Sequence, residues 1–195
     1  MVAYLRPKNL RDWLVRAALP GPPRHRSLRR QTGFKPCRKR GNCVLCTHTR
    51  GIVSSYTCPV TGTVVSINTN ISCQDVGVYI LLCKKDSGQC QMLRPTYVGE
   101  CGDGENSSFT HRFAGHLGTA KNRSQADTVK PVGCHFRLPG HDPDRDMLMI
   151  PIERIPEPFT RKARESFYID KFSSLKRLPV DEIEHGLNMS RGQTI

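Results

Sequence analysis

Three polar residues have the types and the spacing needed to act on a phosphate group. Arg112 and His116 are four positions apart, which places both on one side of a predicted helix. A guanidinium can hold a phosphate through two hydrogen bonds and offset its negative charge. Glu165 lies at the border of the apolar face of another predicted helix, where its carboxylate could hold Mg²⁺. The simpler alternatives are a solvated basic helix face and an ion pair between Glu165 and Arg161.

Two tyrosines occur in short motifs on neighbouring predicted strands. The tripeptide GVY at 77–79 contains Tyr79, and the tripeptide YVG at 97–99 contains Tyr97. Side chains of adjacent strands can face each other across a sheet, so the two phenols could meet on one face. The alternative is that each is a half-buried tyrosine of the core.

The cysteines are grouped in a way that favours metal binding over disulfides. There are nine, an odd number, and the N-terminus has charges where a signal peptide needs an apolar run. Cys37, Cys43 and Cys46 follow a C-x5-C-x2-C spacing, whose C-x2-C arm is typical of zinc sites. Either Cys58 or Cys73 could supply the fourth ligand.

A second group contains two cysteines and two histidines. Cys83 and Cys90 lie between the two tyrosine motifs, and His135 and His141 form an H-x5-H pair further along the chain. Two Cys and two His suit a tetrahedral zinc ion. The alternative is that the cysteines are buried core residues and the histidines belong to a loop.

The pattern of apolar residues predicts a domain of mixed secondary structure. Apolar or β-branched runs bounded by Gly, Asn or Pro predict strands at 52–55, 63–68, 76–83, 96–101 and 147–155. Helical periodicity predicts helices at 4–19, 107–117, 128–136 and 160–175. Ser107 is the expected N-cap of the second of these helices. This order of elements predicts an α/β (α+β) fold.

Positive charge is concentrated near the N-terminus. Residues 1–50 contain 13 Lys and Arg and one acid, Asp12, a net charge of +12, whereas residues 51–195 contain 17 Lys and Arg and 16 acids, a net charge of +1. A basic arm is typical of nucleic-acid binding, because neutralising phosphates releases condensed counterions. The basic cluster from Arg24 to Arg40 would equally serve as a nuclear-import signal or a solvated tail. No apolar run is long enough to predict a membrane span.

Taken together, the motifs resemble those of GIY-YIG endonucleases. In order along the chain, the GVY and YVG tripeptides, Arg112, Glu165 and Asn188 are similar to the five motifs of that family. The chain most resembles the endonuclease domain of Penelope-like retroelements, through the segments YILLC, TYVGE, HRFAGH, PVGCHFRLPGHD, RKARESFYIDKF and HGLN. Each motif alone is unspecific, but their joint occurrence from residue 5 to residue 190 is specific.

The resemblance implies a small antiparallel sheet flanked by helices and the hydrolysis of a DNA phosphodiester with one catalytic metal ion. It implies that Tyr97 is the general base, assisted by Tyr79, and that Arg112 stabilises the transition state. Glu165 would hold Mg²⁺ or Mn²⁺, and His116 would assist proton transfer or contact the phosphate. A tyrosine base needs a nearby cation, because its ordinary pKa is about 10.

The resemblance also implies a structural zinc site embedded in the nuclease domain, because the Penelope-type nucleases have a Cys pair between the tyrosine motifs and a later His pair. The implied ligands are Cys83, Cys90, His135 and His141. Asn188 would support the active site. The spacing of 15 positions from Tyr97 to Arg112 is longer than is usual in the family, and the polar residues 103–106 predict a loop insertion before the helix.

These observations divide the chain into a basic N-terminal helix and linker (1–35), a Cys-rich segment (36–75), a nuclease-like domain (76–190) and a tail (191–195). Cys37, Cys43, Cys46 and Cys73 are the expected ligands of a second zinc ion. The predicted function is that of a nuclear, retroelement-derived endonuclease that nicks DNA. The rival hypothesis is a non-catalytic, zinc-containing module that binds nucleic acid. The five motif positions favour the enzyme, and the insertion favours the rival.

Overall fold

The computed structural model of the chain describes residues 32–37, 42–49, 51–102, 104, 107–122, 130–177 and 182–191. The chain divides into two compact units, residues 1–31 and residues 32–195, and everything described below belongs to the second. The predicted helix at 4–19, most of the basic arm and most of the tail therefore lie outside the described residues. Among the residues described, no helix is both long and apolar enough to cross a membrane.

The described residues form a mixed α/β fold with small sheets. The strands are β1 (Gly33–Phe34), β2 (Ser55–Thr57), β3 (Val64–Ser66), β4 (Asn70–Ile71), β5 (Gly77–Cys83), β6 (Thr96–Cys101) and β7 (Met147–Arg154). The helices are α1 (Val44–His48), α2 (Gly88–Leu93), α3 (Phe109–Lys121), α4 (Pro131–Phe136), α5 (Pro143–Asp146) and α6 (Pro158–Lys171). The expectation of a mixed fold with small sheets and helices is thus confirmed.

The central sheet has three antiparallel strands in the order β6-β5-β7. All seven residues of β5 are buried, because this strand is paired on both edges and helices α3 and α6 pack against the sheet. This is why its sequence, GVYILLC, is continuously apolar instead of alternating. The predictions for β5, β6 and β7 are confirmed to within one residue at each end.

The predictions were less accurate in the segment before the central sheet. The strand expected at 63–68 is reduced to β3, which pairs with β2 in a separate two-stranded ribbon. The strand expected at 52–55 was wrong for most of its length, since only the isolated bridge of Val53 with Phe34 and the first residue of β2 fall there. Two-residue strands such as β1 and β4 are too short to give a periodic signal.

The three helices predicted after residue 100 are all present in the described residues, with different ends. Helix α3 is capped by Ser108, whose side chain accepts a hydrogen bond from the backbone N–H of His111 at 3.2 Å, so the expected cap at Ser107 was wrong by one position. Helix α6 begins two residues earlier than predicted, because Glu157 accepts hydrogen bonds from two N–H groups of its first turn. The short helices α1, α2 and α5 were not predicted.

The Cys-rich segment shares one core with the rest of the described chain. Phe34, Leu45 and Ile67 belong to the same buried cluster as Phe113 and Met149. Helix α1 packs against α3 and β7. Residues before β5 therefore brace the helix that carries two of the predicted site residues.

Candidate active site and metal-ligand clusters

Three of the predicted site residues form a chain of hydrogen bonds between β5 and α3. Arg112 donates from Nε to the hydroxyl of Tyr79 at 3.1 Å. The same hydroxyl lies 2.8 Å from Nε2 of His116. Arg112 and His116 are one turn apart on α3, and Tyr79 lies beneath them on the central strand. Arg112 therefore reaches the sheet even though the polar residues 103–106 precede its helix.

Burial determines the protonation states in this chain of hydrogen bonds. Burial, assisted by the neighbouring Tyr97, raises the pKa of Tyr79 well above its ordinary value, although Arg112 opposes the shift. Burial and the charges of Arg112 and Lys130 lower the pKa of His116 to about 3. The imidazole is therefore neutral at ordinary pH, so Nε2 accepts the phenol proton and Nδ1 keeps the ring proton.

Most of the predicted site residues lie around one cleft of about 590 Å³. Tyr97, Arg112, His116, Glu165 and Asn188 all line it. The start of α4 also contributes to the wall of the cleft. The remaining predicted residue, the fully buried tyrosine of β5, lies behind this surface, where it supports the two residues of α3.

Glycine at position 99 is required by this arrangement. A Cβ atom built there would overlap the hydroxyl of Tyr79 and would lie 2.6 Å from Cε1 of Tyr97. The two rings, with centroids 6.3 Å apart, pass on either side of the space that a larger residue would fill. The glycine of the YVG motif thus lets both tyrosines approach the backbone of β6 closely.

Burial and neighbouring charges raise the pKa values of two residues that line the cleft, Glu165 and Tyr97. Burial and the negative charge of Glu100 raise the pKa of Glu165 to about 7, against the opposing effect of Arg112. Burial and the negative charge of Glu165 raise the pKa of Tyr97, and the positive charge of Arg112 opposes this shift. The cleft therefore contains one carboxyl group whose ionisation would be favoured by a bound cation.

A buried ion pair that the sequence did not reveal lies beside Glu165. The side chain of Arg161 is fully buried, donates from Nε to Glu100, and also donates to the carbonyl oxygen of Pro156 at 3.2 Å. Its guanidinium occupies the space next to Gly102, which has a φ of +153° and could not carry a Cβ there. The structure therefore pairs Arg161 with a residue of β6. Sequence spacing alone had suggested Glu165.

Asn188 joins the C-terminal segment to the edge strand β6. Its Oδ1 accepts from the backbone N–H of Val98 and from the hydroxyl of Ser174, both at 2.8 Å, and its Nδ2 donates to the carbonyl of Val98 at 2.7 Å. These hydrogen bonds use both the Oδ1 and the Nδ2 atoms of the side chain, and they hold β6, the strand that carries Tyr97. The structure thus gives it a supporting position at the cleft.

Two groups of four ligand-type side chains are brought together outside the cleft. We call the first the sheet cluster: Cys83, Cys90, His135 and His141. We call the second the helix cluster: Cys37, Cys43, Cys46 and Cys73. In each group the ligand atoms all lie within 4.8 Å of one another, so each could hold a metal ion such as zinc. Both predicted ligand sets are therefore brought together.

The sheet cluster has distances that suit a tetrahedral ion. Sγ of Cys90 lies 3.3 Å from Nε2 of His141 and 3.8 Å from Nε2 of His135. A sulfur and a nitrogen ligand of tetrahedral zinc are separated by roughly 3.5 Å. Nδ1 of His141 is 3.3 Å from the carbonyl oxygen of Leu138, which fixes the ring so that Nε2 is left as a ligand.

The helix cluster selects Cys73 over the other candidate, Cys58. Cys73 lies just before β5 and completes a group of four sulfur atoms with Cys37, Cys43 and Cys46. Cys58 lies 3.7 Å from Nε2 of His185 in a different part of the fold. Within the cluster, burial by itself would raise the pKa of Cys43, but hydrogen bonds from Thr110 and Cys46 lower it to about 7. Burial raises the pKa of the Cys46 and Cys73 thiols, so Cys43 is the member of the cluster whose thiolate is favoured before a metal binds.

Comparison with known proteins adds no family assignment. No protein-family model, curated protein or solved structure matches this chain. The site must therefore be interpreted from its own geometry.

Proposed function

We propose that this chain is a metal-dependent endonuclease of the GIY-YIG type that nicks DNA and carries structural zinc in its two clusters. The observation that carries the proposal is the convergence on one cleft of a tyrosine, an arginine, a histidine and a glutamate from three different elements, β6, α3 and α6. These side chains can bind a phosphodiester, orient a water molecule and hold a divalent cation, which together suffice for hydrolysis.

Arg112 is the group that would bind the phosphate. It lines the cleft and is oriented by its bond to Tyr79. A guanidinium held in this way offsets the negative charge that develops on the phosphate as a nucleophile attacks. His116, neutral and committed through Nε2 to the same phenol, is better suited to orient this pair than to act as a strong base.

Tyr97 is the candidate that would orient the attacking water. It would accept the water proton as a phenolate, formed by loss of its own proton to solvent when a cation is bound nearby. It lines the same cleft as Arg112, and its ring packs against His116 at 5.5 Å between centroids. Glu165 would hold Mg²⁺ or Mn²⁺ beside it. The bound cation would lower the pKa of water and offset the charge of the phosphate.

The distribution of charge supports DNA as the substrate. The net charge of +12 lies within residues 1–50, whereas the remainder carries +1. We propose that the arm supplies much of the general attraction to DNA and the cleft supplies the chemistry. The retroelement origin and the nuclear location belong to the same proposal and rest on the sequence motifs and the basic cluster.

A plasmid-nicking assay with Glu165→Gln tests the proposal. With Mg²⁺ or Mn²⁺, we expect wild type to convert supercoiled plasmid to open circles, and Glu165→Gln to do so about 100-fold more slowly. Binding of the same DNA should change little. Glu182→Gln, the same chemical change at an exposed position, is the matched control and should cleave like wild type.

Two outcomes would contradict the enzyme hypothesis. Equal cleavage by wild type and Glu165→Gln would show that the activity does not arise from this cleft. Equal absence of cleavage with intact DNA binding would favour the zinc-containing binding module.

A further inference from the structure

The first turn of α3 is bound to the polypeptide that contains Cys73. The backbone N–H of Phe109 donates to the carbonyl of Asp75 at 3.0 Å, and that of Thr110 donates to the carbonyl of Cys73 at 3.0 Å. The first N–H groups of a helix have no partner within the helix. Here two of them are satisfied by a segment that supplies a ligand to the helix cluster, so the start of α3 is fixed from outside.

The hydroxyl of Thr110 makes a second connection to the same cluster. It donates to the carbonyl of Cys73 at 3.0 Å and lies 3.3 Å from Sγ of Cys43. One side chain of α3 thus contacts two members of the helix cluster, Cys43 and Cys73. A metal ion shared by Cys43 and Cys73 would fix the relative position of both partners of this hydroxyl.

Thr110 is close to the groups that face the cleft. Arg112 follows two residues later on the same helix, a rise of about 3 Å, and His116 follows one turn after that. A helix moves as a rigid element, so a shift of its first turn is carried to both side chains. The bond from Arg112 to Tyr79 then reports whether α3 is in its observed position.

We propose that Thr110 is a positioning residue through which the metal-loaded helix cluster holds α3, and with it Arg112 and His116, against the central sheet. The consequence for cleavage rests on the proposed function, whereas the positioning itself does not. Anchoring by Asp75 and Cys73 also accounts for the position of Arg112 at the sheet, although residues 103–106 precede its helix in sequence.

The test compares Thr110→Val, which removes only the hydroxyl, with Thr110→Ser, which keeps it. Thr47→Val is the matched control. It also removes one hydroxyl from a threonine, but that hydroxyl donates to the carbonyl of Val44 within α1. Zinc content per chain, the NMR signal of the Arg112 Nε–H group and steady-state nicking would be measured for each full-length protein.

We expect Thr110→Val to retain the zinc content of wild type while the Arg112 Nε–H signal moves towards that of an unbonded arginine. The value of kcat should fall about tenfold, as for a small displacement of a catalytic group, with little change in KM for DNA. Thr110→Ser should restore both the signal and the rate, and Thr47→Val should resemble wild type.

An unchanged Arg112 signal in Thr110→Val would overturn the proposal, as would a Thr110→Ser variant with the same defect as Thr110→Val. Failure of the proposed function gives a different result. In that case wild type does not nick DNA, and the NMR comparison still decides whether Thr110 positions the helix.

Discussion

The sheet cluster, with two cysteines and two histidines, and the helix cluster, with four cysteines, lie in different parts of the fold. The sheet cluster draws on the end of β5, on α2, on α4 and on the turn after α4, all of which surround the central sheet. The helix cluster draws all four ligands from the Cys-rich segment, three from residues 37–46 and one from position 73, and it contacts α3 through Thr110. One cluster therefore supports the sheet, and the other supports the helix that supplies Arg112.

The comparison teaches that stability and site geometry can be supported by separate cross-links. We expect that removing a ligand of the sheet cluster releases the end of β5, a strand buried along its whole length. We expect that removing a ligand of the helix cluster releases the first turn of α3, because the pairing of β5 with β6 and β7 does not involve that cluster. The two losses should then differ in size and in which measurement they affect most.

The largest effect on stability is expected from Cys83→Ser. Cys83 is fully buried at the end of β5, and the binding free energy of a structural metal ion is part of the folding free energy. We expect the loss of one metal equivalent and a decrease in unfolding free energy of about 4 kcal/mol or more. Urea unfolding and metal analysis would measure this. Cys134→Ser, outside both clusters, is the control and should keep every metal equivalent.

A smaller effect on stability, and a larger one on the site, is expected from Cys46→Ser. This variant should also lose one metal equivalent, but its unfolding free energy should fall by only about 3 kcal/mol, because the central sheet keeps its own cross-link. Hydrogen exchange of the Phe109 and Thr110 amides should become faster, since their partners at Asp75 and Cys73 are no longer fixed. If exchange accelerates equally in the strands of the central sheet, the hypothesis that the two clusters support different parts of the fold is wrong.

The smallest effect is a pH dependence that involves neither cluster. The folded pKa of His116 is lowered to about 3 from 6.5, so between these values the unfolded chain binds more protons and stability falls as pH falls. From pH 7 to pH 5, wild type should lose about 2 kcal/mol more than His116→Gln, because one group contributes at most about 1.4 kcal/mol per pH unit. Both proteins keep both clusters, so the contributions of the metal ligands cancel.

Urea unfolding at the two pH values would measure this difference. Glutamine can still accept the proton of Tyr79 but does not titrate, so the variant isolates the histidine. Identical losses of stability in the two proteins would mean that His116 is not held neutral in the fold.

Local sequence patterns predicted most of the central sheet and the helices that bear the site. The apolar run of β5, the motif spacing on β6 and the amphipathic pattern of α6 are properties of neighbouring residues, and they placed Tyr97 and Glu165 on the correct elements. The patterns failed for several of the short elements, such as β1 and α2, which are shorter than the window in which periodicity can be recognised.

The sequence by itself determined which residue types were available: two phenols, a guanidinium, a carboxylate and two groups of sulfur and nitrogen ligands. Only the tertiary structure decided which of them meet. Cys73, and not Cys58, completes the helix cluster; Arg161 pairs with Glu100; and Thr110 connects that cluster to the helix of the site. The physical reason is that these partners are 27 to 67 positions apart along the chain (46 to 73, 100 to 161, 43 to 110), so strand pairing and core packing bring them together, and neither can be deduced from spacing alone.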